Sequence, residues 1–92
     1  MNWTVSVHRR VAKNLSRLPR SVREVLVALL REIEKMGSMR GNWPNYSPLG
    51  KGRHHCHLKK GRPTYVAVWE VKDKSIRLVE ITYVGTHAKA PY

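Results

Sequence analysis

The chain is short of acids, of cysteine and of long apolar runs, and each shortage excludes something. Cys56 is the only cysteine, so no intrachain disulfide can form and a reducing compartment is expected. No apolar stretch approaches the ~20 residues that span a bilayer. Met1-Asn2-Trp3-Thr4-Val5 lacks the basic and apolar regions of a secretion signal, so a soluble, cytoplasmic protein is expected. Asp and Glu number 6 against 18 Lys and Arg, a formal charge of +12, and none lies between Glu34 and Glu70. Such an excess favours a polyanionic partner: nucleic acid, a ribosome or an acidic protein. It lies well outside the charge that solubility alone asks of a small domain.

The length of 92 residues implies a single domain, 1–92, with a modest core. Hydrophobic residues make up 41%, too many for a disordered chain, and there is no repeat, low-complexity stretch or linker. Trp3, Val5 and Val7 alternate with Asn2, Thr4 and Ser6, the period of a half-buried strand. Val11, Leu15 and Leu18 predict a helix from His8 to Leu18, ended by Pro19. Ser21-Val22-Arg23-Glu24 fits a capping box opening a second helix. Its stripe runs through Val22, Leu26, Leu29, Leu30, Ile33 and Met36 to a stop at Gly37. So short a connection makes the helices an antiparallel hairpin.

Residues 37–52 hold four Gly, two Pro and two Asn and read as a loop, pinned by Trp43 and Tyr46. Three strands follow, near Arg53 to Lys59, Thr64 to Val71 and Ser75 to Val84. Gly61-Arg62-Pro63 and Lys72-Asp73-Lys74 turn them into an antiparallel meander. The tail 86–92 is irregular. The expected fold is α+β, order βααβββ, with a helical hairpin on one face of a small, mainly antiparallel sheet.

Four of the five histidines gather in two places: His54, His55 and His57 in one strand, and His87 after Gly85-Thr86. Histidine exchanges protons near neutral pH. Two imidazole sites in a basic field suit acid–base cleavage of RNA. Alternation along the strand puts Cys56, Leu58 and His54 towards the helices, and Arg53, His55, His57 and Lys59 on the open face. Against this stands the plainer reading that His55 and His57 only decorate a solvated strand and that His87 is a surface tail residue. Cys56 reads as a small buried hydrophobe. His8 opens a helix and is expected to be solvated. Gly85 is expected to end the last strand with a sharp turn.

His55, His57 and His87 could also be three metal ligands. Bound zinc usually has second-shell carboxylates or carbonyls behind its histidines, and carboxylates are missing here, so no metal or cofactor is expected. Arg53, Lys59, Lys60, Arg62 and Arg77 would line or edge the same sheet and hold phosphates. Arg9, Arg10, Lys13 and Arg17 form a separate basic group on the first helix, readable as a solvated face. Tyr92 is either a tail anchor or a ring that stacks on a base.

In element order, basic charge and the ending Val84-Gly85-Thr86-His87 with Tyr92, the chain resembles the RelE/ParE toxin superfamily of bacterial toxin–antitoxin systems. Cys56-His57 and Gly85-Thr86-His87 resemble YafQ-like members in particular. The resemblance implies a ribosome-dependent mRNA endonuclease restrained by an acidic antitoxin. It makes His57 and His87 catalytic and Tyr92 the terminal aromatic of the site. Many members carry an Arg at the start of the third strand. This chain has Tyr65-Val66 there, so Arg62 or Arg77 would supply that charge. The C-terminal helix of some members is also absent.

The expected mechanism is metal-free. His57, or less readily His55, takes the ribose 2′-OH proton, and His87 protonates the leaving 5′-oxygen. Arg62, Arg53, Lys59 or Arg77 steadies the phosphate. Two rivals predict no cleavage: a ParE-like gyrase inhibitor and a plain RNA-binding module.

Overall fold

The computed structural model describes residues 2–92. Its elements are β1 (Thr4–Val7), α1 (Arg9–Asn14), α2 (Arg20–Met36), β2 (Ser47–Gly50), β3 (Arg53–Lys59), β4 (Tyr65–Asp73) and β5 (Leu78–Thr86). Single 3₁₀ turns follow α1 at Leu15–Arg17 and β5 at His87–Lys89. The five strands make one sheet in the order β1-β5-β4-β3-β2. β1 runs parallel to β5, and the other pairs are antiparallel. The α+β expectation holds, with one strand more than the sequence suggested.

α2 lies against one face of the sheet because Val22, Leu26, Leu29 and Ile33 recur on one side of the helix, all buried. Burying each such side chain contributes about 1.5–3 kcal/mol. They meet Cys56, Leu58, Ala67, Trp69, Val79, Ile81 and Val84 from the sheet in a single cluster. Met36 lies beyond the stripe and is exposed. Gly37 ends the helix at φ +95°, and its missing Cβ leaves room for the Trp3 ring. The expected capping box does not form. α2 starts one residue earlier, at Arg20, with Pro19 as N-cap, whose carbonyl accepts the N–H of Val22 and Arg23. Glu24 pairs instead with Arg20 in an exposed contact of small energetic weight.

The loop before β2 is tied down by Arg40, whose Nη1 donates to Glu32 Oε1 at 2.7 Å, and by Asn42, which donates to the same oxygen. Trp43 and Tyr46 pack against the core as expected. Residues 47–50, read from sequence as loop, instead form the edge strand β2. β5 starts three residues later than expected, at Leu78, because residues 74–77 make the turn. Asp73 caps that turn by accepting the N–H of Ser75 and Ile76, and Arg77 sits at φ +55°.

β4 is apolar from Tyr65 to Trp69 because both faces of that stretch are covered. Ala67 and Trp69 face α2, while Val66 and Val68 point to the opposite face, where sequence predicted open sheet. Val66 is wholly buried and Val68 nearly so. A ring cluster built with the C-terminal tail lies on that face.

A histidine cluster as candidate active site

Strand register assembles the cluster. His55 pairs with Val68 and His57 with Val66, and those residues pair in turn with Tyr83 and Gly85 of β5. The row continues into the tail, where the 3₁₀ turn at His87–Lys89 carries the chain back over the sheet. His57 and His87 meet edge to face with ring centroids 5.5 Å apart. His55 lies 6.3 Å from His57, and the Tyr92 ring rests 4.4 Å from His55 and 5.9 Å from His87. Four residues, two from mid-chain β3 and two from the C-terminal tail, thus form one continuous ring cluster.

Each imidazole is held differently. His55 is buried, with Nδ1 3.2 Å from both the hydroxyl and the carbonyl of Ser47 on β2. A carbonyl only accepts, so in that contact Nδ1–H is the donor. His57 is half-buried, its backbone N–H donating to the Pro44 carbonyl. Burial, followed by the neighbouring charges of His87, His55 and Lys60, lowers its pKa from 6.5. His87 is exposed and is positioned through its backbone, whose N–H donates to the Thr64 carbonyl at 2.8 Å. Burial raises the Tyr92 pKa.

His57, His87 and Ala88 form one wall of an open depression of about 500 Å³, and Gly61 to Thr64 form the other. Arg62 lies on that rim, exposed and without an acidic partner among the described residues. The turn that brings it there contains a cis Arg62–Pro63 peptide.

Three predicted phosphate ligands sit elsewhere. Lys59 was expected beside His57. A bulge in the β3–β4 ladder between His57 and Lys59 turns it towards α2. Its Nζ there donates to Ser21 Oγ at 3.2 Å. Arg77 occupies the turn at the opposite end of the nine-residue β5, about 30 Å along the strand from His87. Arg53 shares the face of His55 but lies opposite Glu70, which pairs with Glu80. Lys72 Nζ links those carboxylates at 2.7 and 3.6 Å. These carboxylates make that end of the sheet less suited to phosphate than the depression beside His57. Lys60, exposed, stays near His57.

His54 belongs to the core side. It stacks on Trp69 at 5.9 Å and on Tyr46 at 5.8 Å, and is hydrogen-bonded to Tyr46 Oη at 2.7 Å. Cys56 is wholly buried, and burial pushes its thiol up to about 12, so it is no nucleophile. No group of three His, Cys, Asp or Glu residues among the described residues is arranged to hold a metal ion.

Sequence reasoning missed Ser47 and Tyr83. Tyr83 Oη donates to the Thr86 carbonyl at 2.7 Å, and its side chain crosses Gly85. Gly85 is therefore needed for space and does not make the expected turn. A Cβ there would stand 2.6 Å from Tyr83 Oη and 2.9 Å from Cζ. Both residues lie on one face, two apart, a spacing that could have raised the question. Gly85→Ala should cost about 1–3 kcal/mol and shift the residues that carry His87. Urea unfolding checks the first effect, and an unchanged midpoint would refute the crowding argument.

The fold is that of solved RelE toxin structures. The chain superposes on a double-mutant RelE toxin of Escherichia coli in the free state with a TM-score of 0.72. The two are 22% identical, over 97% of this chain and 88% of that one. It also matches the RelE–RelB complex of the archaeon Pyrococcus horikoshii, with a TM-score of 0.70 and 16% identity, over 98% and 100% of the two chains. The RelBE2 toxin–antitoxin complex of Mycobacterium tuberculosis gives 0.54 and 20%, over 95% and 100%. No family model and no curated protein sequence matches the chain.

Proposed function

We propose that the chain is the toxin of a toxin–antitoxin pair and that it cleaves mRNA on the ribosome by metal-free acid–base chemistry. The observation that carries this reading is the contact of His57 and His87 at 5.5 Å beside a depression edged by Arg62. One imidazole with a lowered pKa stays neutral near pH 7 and accepts a proton. A second, exposed imidazole lies close enough to serve the same phosphate.

In the reaction, His57 removes the proton of a ribose 2′-OH. The oxygen attacks the adjacent phosphorus while the bond to the 5′-oxygen breaks. Protonated His87 delivers its proton to that oxygen. Arg62, with Lys60 nearby, stabilises charge on the phosphoryl oxygens. The products are a 2′,3′-cyclic phosphate and a 5′-hydroxyl. His55, held by Ser47, and Tyr92 flank the reacting groups, and the Tyr92 ring offers a stacking surface to a base. The partner in the cell is an acidic antitoxin that covers this basic protein, as fits a charge of +12.

Mapping mRNA 5′ ends after brief expression in growing bacteria tests the proposal. Cuts confined to translated frames are expected. Arrest of DNA replication with intact messages would favour gyrase inhibition. Salt-sensitive RNA binding without cuts would leave a binding module.

A further inference from the structure

β1 stops at Val7, opposite Ile81, and the His8 N–H closes its ladder on the Ile81 carbonyl. From Thr82 to Thr86 β5 therefore has no strand on that side. A second depression of about 340 Å³ opens along this free edge. Arg10 and Asn14 of α1 line it with Tyr83 and Pro91, over buried Val11 and Val84. The tail borders both depressions, with His87 and Ala88 on the first and Pro91 on the second.

Two of the polar groups on its walls, on Arg10 and Asn14, are unengaged among the described residues. Arg10 makes no ion pair among the described residues, and α1 contains no acid. The Asn14 amide caps no backbone group. Tyr83 spends its hydroxyl proton on the Thr86 carbonyl, which fixes the side chain in place. An aromatic ring, a free amide and a guanidinium are the groups that proteins apply to an unpaired nucleotide, for stacking, base-edge hydrogen bonding and phosphate pairing. The volume lies at the lower end of the ~300–1,000 Å³ of small-ligand sites.

We propose that this depression is a second RNA subsite, which takes one unpaired nucleotide flanking the scissile phosphate. The proposal rests on the nuclease reading. The strand would cross the tail between the two depressions, so the tail orders the RNA as well as carrying His87. An acidic protein segment is the competing occupant. The adjoining apolar floor and amide favour a base over a run of carboxylates.

The test uses full-length protein carrying His87→Ala, so that RNA stays whole, and a fluorescein-labelled single-stranded octaribonucleotide in 50 mM salt without ribosomes. Fluorescence anisotropy gives Kd. Adding Asn14→Ala should weaken binding about 3–10-fold with an unchanged salt slope. Adding Arg10→Ala should weaken it about 10-fold or more and reduce the slope by roughly 0.7, one phosphate contact on a single strand. Adding Arg23→Ala, an exposed charge away from the depression, should change Kd less than twofold. A normal Kd with Asn14→Ala, an equal loss with Arg23→Ala, or no binding by the parent protein would each overturn the subsite. So would hydrogen-exchange protection of residues 10–14 by an acidic protein partner but not by the RNA. If the subsite variants behave as expected while wild-type protein never cuts RNA, the nuclease reading fails and the subsite stands.

Discussion

Replacing His87 by alanine should lower the cleavage rate by about 10²–10⁴, the usual worth of a positioned general acid, and leave the fold intact. The side chain is exposed and lies outside the hydrophobic core, while its backbone tether to Thr64 survives the substitution. His57→Ala should cost a similar factor. The double variant should lose little more than either single one, because the two groups act on one phosphate and such effects are not additive. Single-turnover cleavage of ribosome-bound mRNA, with a thermal melt on each variant, separates lost chemistry from lost folding. Full activity in either variant would remove that residue from the reaction.

Trp69→Ala should have the largest effect on stability, about 3–5 kcal/mol, with a fall in Tm of at least about 12 °C for a domain this small. The indole is wholly buried between α2 and the sheet, stacked on His54, and its Nε1–H donates to the Ser38 carbonyl at 2.9 Å. Truncation opens a cavity, strips the stacking surface from His54 and leaves a carbonyl without its donor. Trp69→Phe keeps most of the apolar area and should cost less. Urea unfolding measures both, and a loss below about 1 kcal/mol for the alanine variant would show that the core collapses around the site.

The division between these two roles was legible in the strand. Period-2 alternation put His55 and His57 on the face opposite Cys56, Leu58 and His54, and the register places them so. The apolar run Tyr65 to Trp69 suits a central strand, but the second cause of its burial was hidden. It is buried from the far side by rings drawn from β3 and the tail. Nothing local in Ala88 to Pro91 reports that the chain folds back over the sheet. β2 escaped notice because Pro48 and Gly50 suit a loop as well as a short edge strand, where an unpaired edge tolerates both. The fate of Lys59 was decided by a single bulged position, invisible to alternation, which turned a candidate phosphate ligand into a partner of Ser21. Arg77 was misplaced for a simpler reason: strand length, not residue type, sets which end of the sheet a turn occupies.

The pairing of His57 with His87 as base and acid is the centre of the account, and the pH dependence of kcat/KM for RNA cleavage tests it most directly. Burial and the neighbouring cations favour the neutral form of His57, so its loss of activity on acidification should set in with a midpoint below 6.5. Wild-type protein should give a bell. His57→Ala should lose the acidic limb and His87→Ala the alkaline limb, each on a reduced rate. An acidic midpoint at or above 6.5, or a bell that keeps both limbs in either variant, would contradict it.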